Sequence, residues 1–263
     1  MPELPDVETM RRYFERTSLR KRVAEVEITT PRVIDGSPGE FQAALKGRRF
    51  TSVRRHGKYL FASAKGPWLV LHFGMTGGLE FKAAGKPAPP HSRVAFGFAD
   101  GSRLFFFDTR MFGRAGISDD IDDFIRRKGL GPDALSIGFG QFRAALKKTR
   151  RGIKQVLMDQ SVLAGLGNVY ADEALFQAGI HPLEDAGGLA DDKARRLFRA
   201  IGMTLRKAVS LEAQASRFPE GFIIPRRHKG ARCPRCGAAI EALSIQKRTA
   251  YFCPACQRPG RAK

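Results

Sequence analysis

All four cysteines of the chain lie in its last 31 residues, where they form two Cys-x-x-Cys pairs. Cys233 and Cys236 make the first pair, Cys253 and Cys256 make the second, and 16 residues separate the two pairs. Two such pairs at this separation are typical of a tetrahedral zinc site in which each tight turn supplies two thiolates. A disulfide framework is less favoured, because the chain is neither small nor evidently secreted. We therefore expect one structural Zn²⁺, since four thiolates leave no open position for water.

The segment between the two cysteine pairs, IEALSIQKRTAYF, alternates between apolar and polar residues. This alternation predicts two short strands, so the module is expected to be a β-hairpin zinc finger. Lys247 and Arg248 fall near the expected turn of the hairpin.

Upstream of the finger, the spacing of apolar residues changes twice. Residues 5–16 have helical spacing, and residues 23–117 contain short strand-like segments, of which VAEVEI alternates, separated by Gly and Pro turns as in an antiparallel sandwich or barrel. From about residue 119 helical spacing returns, and several segments stop at glycine. The sequence thus predicts an α+β chain with an N-terminal helix and antiparallel β-sandwich over 1–118, a helical domain over 119–216, and a loop and zinc finger over 217–263.

The charge balance favours a polyanionic partner. The 263 residues include 46 basic and 26 acidic side chains, a net charge of +20, and the basic residues are spread along the chain. Nucleic acid is the leading candidate, and a general affinity for anionic surfaces is the alternative. No segment approaches the roughly 20 apolar residues of a membrane span, and the N-terminus is too charged for a secretory signal. We expect a soluble cytosolic protein with no membrane partner.

Two short motifs carry candidate chemistry. In MPELPD, prolines and carboxylates suit the start of a helix, because proline lacks an N–H to satisfy and acidic residues oppose the helix dipole. In GLGN, a glycine-rich turn leads into the segment NVYADEALF. Backbone N–H groups at a helix N-terminus bind phosphate, and Asn168 can add an uncharged donor. From these residues alone, an ordinary helix cap is the alternative in both places.

Several longer motifs occur in a characteristic order: MPELPDVET, HGKYL at 56–60, HFGMTG at 72–77, DTRMFG at 108–113, the block LMDQSVLAGLGNVYADEALFQAGIHP, and the four-cysteine finger. Together they resemble the formamidopyrimidine-DNA glycosylase/endonuclease VIII family over nearly the whole chain, and the start is closer to the formamidopyrimidine branch. The resemblance implies a helix-two-turn-helix domain between the β-sandwich and the finger, with damaged double-stranded DNA as the partner. It also implies a bifunctional DNA glycosylase and AP lyase of base excision repair, which we expect to be monomeric, cytoplasmic and associated with a bacterial nucleoid.

The resemblance identifies Pro2, Glu3 and Lys58 as the catalytic residues. In this family the initiator methionine is removed, and the proline nitrogen attacks the deoxyribose C1′ to form an iminium, after which β- and δ-elimination cleave the strand. An α-amino group has a pKa near 8, against about 10.4 for lysine, so more of it is free base at neutral pH. Glu3 matches the carboxylate that protonates the sugar ring oxygen, and Lys58 matches a hairpin lysine that reaches the phosphate and the base. With Met1 retained, Pro2 is an unreactive amide.

The resemblance also identifies DNA-contacting residues. Three of them match the void-filling side chains that replace an everted nucleotide, and the others belong with positions that bind phosphates beside the lesion. The first set is Met75, Arg110 and Phe112, and the second is Lys154, Asn168 and Arg248.

Two departures from the family pattern carry expectations of their own. Met111 stands where the family commonly has a second arginine, which predicts one phosphate contact fewer. Residues 211–233 are shorter than the lesion-capping loop of the formamidopyrimidine branch and lack its Gly-Tyr-Phe element, which predicts a more open pocket. Oxidised pyrimidines, ring-opened purines, abasic sites and bulkier lesions are then the candidate substrates.

Three alternative functions stay open at this point. The first is an enzyme that acts mainly as an AP lyase, or as a glycosylase for lesions other than 8-oxoguanine. The second is a non-catalytic damaged-DNA-binding protein on the same scaffold. The third is a zinc-ribbon RNA-binding or transcription factor, which explains the charge and the finger but leaves MPELPD unexplained.

Overall fold

A computed structural model describes residues 2–258 and divides the chain into two compact units, one up to Lys128 and one from Gly129 onward. The first unit begins with helix α1 (Leu4–Ser18). Its apolar face places Val7 and Phe14 in the core of the unit, where Phe14 meets the ring of Phe50 edge to face. The N-terminal helix that the sequence predicts is confirmed, with one further residue at its N-terminal end and two at its C-terminal end.

Two packed sheets follow α1, as the sequence predicts. Their strands are β1 (Val23–Ile28), β2 (Ile34–Asp35), β3 (Ser52–His56), β4 (Tyr59–Ser63), β5 (Trp68–His72), β6 (Gly77–Lys82), β7 (Ser92–Phe98), β8 (Arg103–Asp108) and β9 (Arg114–Ser118). One sheet has the order β1-β7-β8-β6 and the other β2-β9-β5-β4-β3. The pairings are antiparallel except that β2 lies parallel to β9. A two-residue strand is too short to show an alternation in sequence, so this pairing was not predictable.

The core of the first unit lies between the two sheets and is rich in phenylalanine, including Phe41, Phe73, Phe96 and Phe106. Helix α2 (Pro38–Leu45) contributes Phe41 to it. Helix α3 (Ile121–Arg127) packs its Phe124 on a separate cluster with Phe61 and Val70 on the β4–β5 strands. The predicted domain boundary at 118–119 precedes this helix.

The second unit is helical up to its finger. Its helices are α4 (Phe139–Lys147), α5 (Ile153–Met158), α6 (Asn168–Ala178) and α7 (Asp191–Ser210). The C-cap of α6 is Gly179, whose φ of 66° is the left-handed conformation that favours glycine. The finger is an antiparallel hairpin of β10 (Glu241–Ile245) and β11 (Arg248–Phe252). The predicted α+β class, with a β-sandwich, a helical domain and a hairpin finger, is confirmed. Across residues 2–258, every helix is too short or too polar to traverse a lipid bilayer.

Candidate active site and nucleic-acid-binding residues

Pro2 and Glu3 stand immediately before α1. Pro2 is partly buried, and Glu3, the N-cap residue, is only 2% exposed. The Asp6 carboxyl accepts a hydrogen bond from the Glu3 N–H at 2.9 Å, which fixes the backbone beside Pro2. Burial raises the pKa of Asp6 to about 6. Met1, whose removal the predicted chemistry requires, lies outside the described residues.

Lys58 lies in the tight turn between β3 and β4 and is 7% exposed. Gly57, next to it, has a φ of 55°, which a side-chain-bearing residue adopts only with strain. The Arg55 guanidinium joins this turn to α1, because it donates to the Gly57 carbonyl at 3.0 Å and to the Glu8 carboxylate at 3.2 Å. The turn that carries Lys58 is therefore tied to the helix that follows Pro2 and Glu3. Sequence reasoning missed this role of Arg55, which it treated only as part of the basic charge.

His72 ends β5 and begins the HFGMTG loop. It pairs with Tyr59 across the strands, with ring centroids 4.9 Å apart, and its Nδ1 accepts from the Gly74 N–H at 3.3 Å. Burial, and then the positive charge of Lys58, lower the pKa of His72 to about 4. A ring nitrogen must be unprotonated to accept a hydrogen bond, so the lowered pKa keeps this contact available at neutral pH. The sequence motif contained His72, but reasoning from it assigned this residue no role.

The predicted void-filling residues project from two loops of the first unit. Met75 is 39% exposed and Phe112 is 52% exposed, so neither is a core residue. The Arg110 side chain is exposed and its guanidinium lies 5.1 Å from the centre of the Phe112 ring. Met111, between them, has a φ of 56° and packs partly against the core of the unit. The structure thus groups an exposed thioether, an exposed guanidinium and an exposed aromatic ring.

Asn168 and Arg248 are brought together in the second unit. Asn168 is the first residue of α6, and its Nδ2 donates to the carbonyl of Thr249, the neighbour of Arg248 on β11, at 3.0 Å. Arg248 begins β11 directly after the hairpin turn and approaches the Met158 sulfur at 4.0 Å. Both residues therefore lie where α6 meets the finger hairpin.

Lys154 lies on α5 and is fully buried, in contrast to the exposed position that a phosphate contact suggests. Its ammonium is ion-paired with the buried carboxylate of Asp172 on α6. Asp172 also accepts from the Arg227 Nε at 2.9 Å and from the Tyr251 N–H at 3.1 Å. Its carboxylate therefore joins α5, α6, the segment before the finger and β11. The phosphate contact of Lys154 stays a prediction, and sequence reasoning did not detect Asp172, whose surroundings in sequence give no sign of its partners.

The four cysteines are positioned to bind one zinc ion. All four sulfur atoms lie within 4.8 Å of one another, with 3.9 Å between Cys233 and Cys256 and 3.5 Å between Cys236 and Cys253. A Zn–S bond of about 2.3 Å in tetrahedral geometry places sulfur atoms about 3.8 Å apart, so the spacing fits the ion. All ligands are thiolates, and the zinc is structural.

The side chain of Gln257 orders the turn of the second cysteine pair through hydrogen bonds. In the first pair, the Cys233 N–H donates to the Ala238 carbonyl at 2.8 Å. In the second, the Cys253 N–H donates to the side-chain oxygen of Gln257 at 2.9 Å, and the Gln257 amide donates to the Ile180 carbonyl at 2.9 Å. Gln257 is fully buried. Its side chain orders one ligand turn and joins the finger to the residue that follows the α6 cap.

Family models match three successive parts of the chain. The formamidopyrimidine-DNA glycosylase N-terminal domain matches residues 1–115, and the helix-two-turn-helix domain of the same glycosylase matches residues 130–220. A zinc finger found in this glycosylase and in isoleucyl-tRNA synthetase matches residues 230–259.

Individual proteins agree with the family models. Curated formamidopyrimidine-DNA glycosylases of Pelobacter propionicus, Geobacter metallireducens and Thermus thermophilus are 37%, 38% and 39% identical, and the matches cover 98–99% of this chain and all of each relative. Lactococcus lactis Fpg bound to DNA with an abasic site superimposes with a TM-score of 0.89 at 29% identity, covering 97% of this chain and 99% of that one. The same protein bound to DNA containing a ring-opened guanine (FAPY-dG) gives 0.90 at 29% identity, covering 97% and 100%. The chain therefore belongs to the formamidopyrimidine-DNA glycosylase family.

Proposed function

We propose that this chain is a base-excision-repair DNA glycosylase with AP lyase activity, and that Pro2 is its nucleophile. The observation that carries the proposal is the tie between the start of α1 and the Lys58 turn. Arg55 contacts both Glu8 and Gly57, which supports a fixed arrangement of Pro2, Glu3 and Lys58. Family membership and full-length similarity to curated glycosylases support the same conclusion.

The reaction begins at the sugar. With Met1 removed, the lone pair of the Pro2 nitrogen attacks C1′, and the bond from C1′ to the damaged base breaks. The base leaves with the electron pair of that broken bond and takes up the proton that the Pro2 nitrogen loses, which restores the lone pair on the nitrogen. Glu3 donates a proton to the ring oxygen, the C1′–O bond opens, and the nitrogen lone pair completes an iminium. Splitting one displacement into addition and elimination lowers the barrier of each step.

Strand cleavage follows from the iminium. The iminium makes the C2′ proton acidic, so loss of that proton expels the 3′ phosphate in a β-elimination. In a second elimination, loss of the C4′ proton expels the 5′ phosphate, and water then hydrolyses the iminium to release Pro2. Lys58 lies in the turn that Arg55 joins to α1, and its side chain is suited to hold the phosphate or the damaged base. Glu3 is only 2% exposed, so its carboxyl group has little contact with water and is suited to pass protons directly to and from the sugar.

We infer that the two groups of DNA-contacting residues act on different parts of the substrate. Eversion of a nucleotide leaves a hole in the duplex and costs a few kcal/mol of stacking. The exposed side chains of Met75, Arg110 and Phe112 can fill that hole. Asn168 and Arg248 lie together at the N-terminus of α6, where backbone N–H groups favour a phosphate. The zinc ion supplies no chemistry and holds the hairpin that carries Arg248.

We infer a substrate range that includes ring-opened purines and abasic sites. Lactococcus lactis Fpg is bound to DNA of both kinds in the structures that resemble this chain. Residues 221–224 pack on α6, since the Gly221 carbonyl accepts from the Gln177 amide at 2.9 Å, the buried Glu173 carboxylate accepts from the Ile224 N–H at 2.9 Å, and Ile223 is fully buried. A segment held down in this way leaves little chain to cover an everted base, which supports tolerance of several lesions.

The experiment is borohydride trapping of an enzyme–DNA adduct on duplex DNA with an abasic site. The protein is expected to form the adduct, and Pro2→Gly is expected to lower its rate roughly 100-fold because the secondary amine is lost. Pro5→Ala is the matched control, because Pro5 lies in the first turn of α1 and its nitrogen is not terminal. Mass spectrometry establishes whether Met1 is absent. No adduct from protein that lacks Met1 would leave a damage-binding protein as the function.

We propose three further properties of the whole chain. It acts as a monomer, it works in the cytoplasm at the nucleoid, and it has three domains over 1–118, 119–216 and 217–263. The net charge of +20 and the DNA-bound relatives support the location. Light scattering with and without a DNA duplex tests the monomer, and limited proteolysis tests the boundaries.

A further inference from the structure

The two loops that carry Met75, Arg110 and Phe112 share one buried carboxylate. Asp108, the last residue of β8, is fully buried. Its Oδ1 accepts from the Thr76 hydroxyl and from the Arg110 N–H, the latter at 3.2 Å. Its Oδ2 accepts from the Gly113 N–H at 2.7 Å. The Arg110 N–H also donates to the Thr76 oxygen at 3.0 Å. Asp108 thus binds both ends of the 110–113 loop, and it also binds Thr76, the residue after Met75.

The same loops touch through their backbones. A Cβ added to Gly74 would lie 2.4 Å from the Gly113 nitrogen and 2.5 Å from the Phe112 carbonyl carbon, so no side chain fits between the loops there. Met111 has a φ of 56°, which a methionine keeps only where its surroundings hold it. The backbone groups that Asp108 binds lie on either side of Met111. The exposed Met75 and Phe112 therefore belong to two loops whose backbones are held together by the same hydrogen bonds and close contacts.

We propose that Asp108 and Thr76 are positioning residues that hold Met75, Arg110 and Phe112 ready to enter the gap left by an everted nucleotide. This inference rests on the proposed function. Side chains that must fill a hole in stacked DNA work best when their backbone is ordered beforehand, because the ordering then costs nothing at the moment of insertion. The Thr76 hydroxyl links the two loops, because it donates to the buried Asp108 carboxylate and accepts from the Arg110 N–H. Asp108 is fully buried, so it acts through the backbone groups that it binds.

The first experiment compares Thr76→Val with Thr76→Ser on two substrates, an abasic site in a duplex and the same oligonucleotide as a single strand. Valine keeps the shape and lacks the hydroxyl, and serine keeps the hydroxyl. Thr76→Val is expected to slow single-turnover borohydride trapping on the duplex about tenfold, the scale for one lost hydrogen bond to a charged group. Thr76→Ser is expected to stay near the wild-type rate. On the single strand, where no gap needs filling, all three proteins are expected to react equally.

The second experiment needs no catalysis. A 2-aminopurine placed opposite a stable tetrahydrofuran abasic analogue reports by fluorescence when side chains enter the gap. Thr76→Val and Asp108→Asn are both expected to slow the fluorescence change, and Thr76→Val is expected to add little to Met75→Ala. Thermal unfolding of each variant shows whether it is folded. Asp108→Asn is the independent variant because it keeps the volume of the anchor and replaces one acceptor oxygen with a donor.

The outcomes separate this inference from the proposed function. An unchanged duplex rate, or equal losses on duplex and single strand, would overturn the positioning role. A full additional loss in the Thr76→Val, Met75→Ala double variant would also overturn it, because the hydroxyl would then act independently of the wedge. Failure of the wild-type protein to form any adduct would count against the enzyme, while the fluorescence result would still decide the positioning role.

Discussion

Asp6 lies close in sequence to the proposed nucleophile Pro2 and general acid Glu3, and its pKa is strongly raised. Its carboxyl accepts from the Glu3 N–H, and burial raises its pKa to about 6. An unfolded aspartate has a pKa of about 3.9. Between these values the folded chain holds a proton that the unfolded chain has released, so stability falls as pH rises from about 4 to 6. This rise in the pKa of Asp6 corresponds to a change of at most about 3 kcal/mol in the free energy of unfolding.

Asp6→Asn is expected to remove this part of the pH dependence. Asparagine keeps an oxygen that can accept from the Glu3 N–H and has no proton to lose in this range. The difference in free energy of unfolding between wild type and variant should shift by about 2 kcal/mol in favour of the variant between pH 4 and 7. Urea denaturation at several pH values measures it. Parallel curves for the two proteins would show that Asp6 does not carry the shift.

At the scale of elements, Asp172 on α6 connects three other parts of the second unit, which are α5, the segment before the finger and β11. Its carboxylate meets the buried ammonium of Lys154 on α5 and the guanidinium of Arg227 before the finger. Removing one partner of a buried ion pair leaves an uncompensated charge. Asp172→Asn is therefore expected to lower the free energy of unfolding by about 3 to 5 kcal/mol. Chemical denaturation measures the loss.

The matched control for Asp172 is Asp192→Asn on α7. Asp192 pairs with Arg196 at the surface, where water screens the interaction, so its loss should leave the denaturation midpoint nearly unchanged. Adding Lys154→Met to Asp172→Asn should recover part of the stability, because the unpaired ammonium is then gone. Equal midpoints for the Asp172 and Asp192 variants would contradict a structural role for the buried pair.

The elements themselves were largely predictable from the sequence, and their buried polar contacts were not. The helical stripe with Val7 and Phe14, the alternation in β1, the short apolar runs of β4 and β5, and the Cys-x-x-Cys pairs depend on neighbours in the chain, and local sequence patterns reveal them. The contact between Asp172 and Tyr251 joins residues far apart in sequence, so no local pattern signals it. The contacts of Arg55 with Glu8 and of Gln257 with Ile180 escaped prediction for the same reason.

For residues of the candidate site, exposure or burial was easier to predict where the surrounding motif was distinctive. Met75 and Phe112 lie in glycine-containing loops that the sequence motifs delimit, and both side chains are exposed. Lys154 illustrates the opposite case, because its helix has no period strong enough to distinguish a buried lysine from an exposed one. Which side of a six-residue helix faces the core depends on its packing partner, here α6.

At the scale of the whole molecule, the net charge of +20 predicts how binding responds to salt. A basic protein releases counterions from the phosphates that it neutralises, and each such phosphate contributes about −0.9 to the slope of log affinity against log salt on duplex DNA. We expect a steep negative slope between about 50 and 200 mM salt, measured by fluorescence anisotropy with a duplex that contains the tetrahydrofuran analogue. A flat response would remove DNA as the polyanionic partner.

The contribution of Arg248 can be read from the same plot. If its guanidinium neutralises one phosphate, Arg248→Gln should make the slope shallower by about 0.9 and weaken binding at every salt concentration. Arg126→Gln is the control with the same change of charge, because Arg126 is exposed on α3 and is already paired with Asp123. A loss of net charge acting through the general field of the protein would alter both slopes by the same amount. A change confined to Arg248→Gln would instead locate one phosphate at the junction of α6 and the finger, where Asn168 bonds to the strand that Arg248 begins.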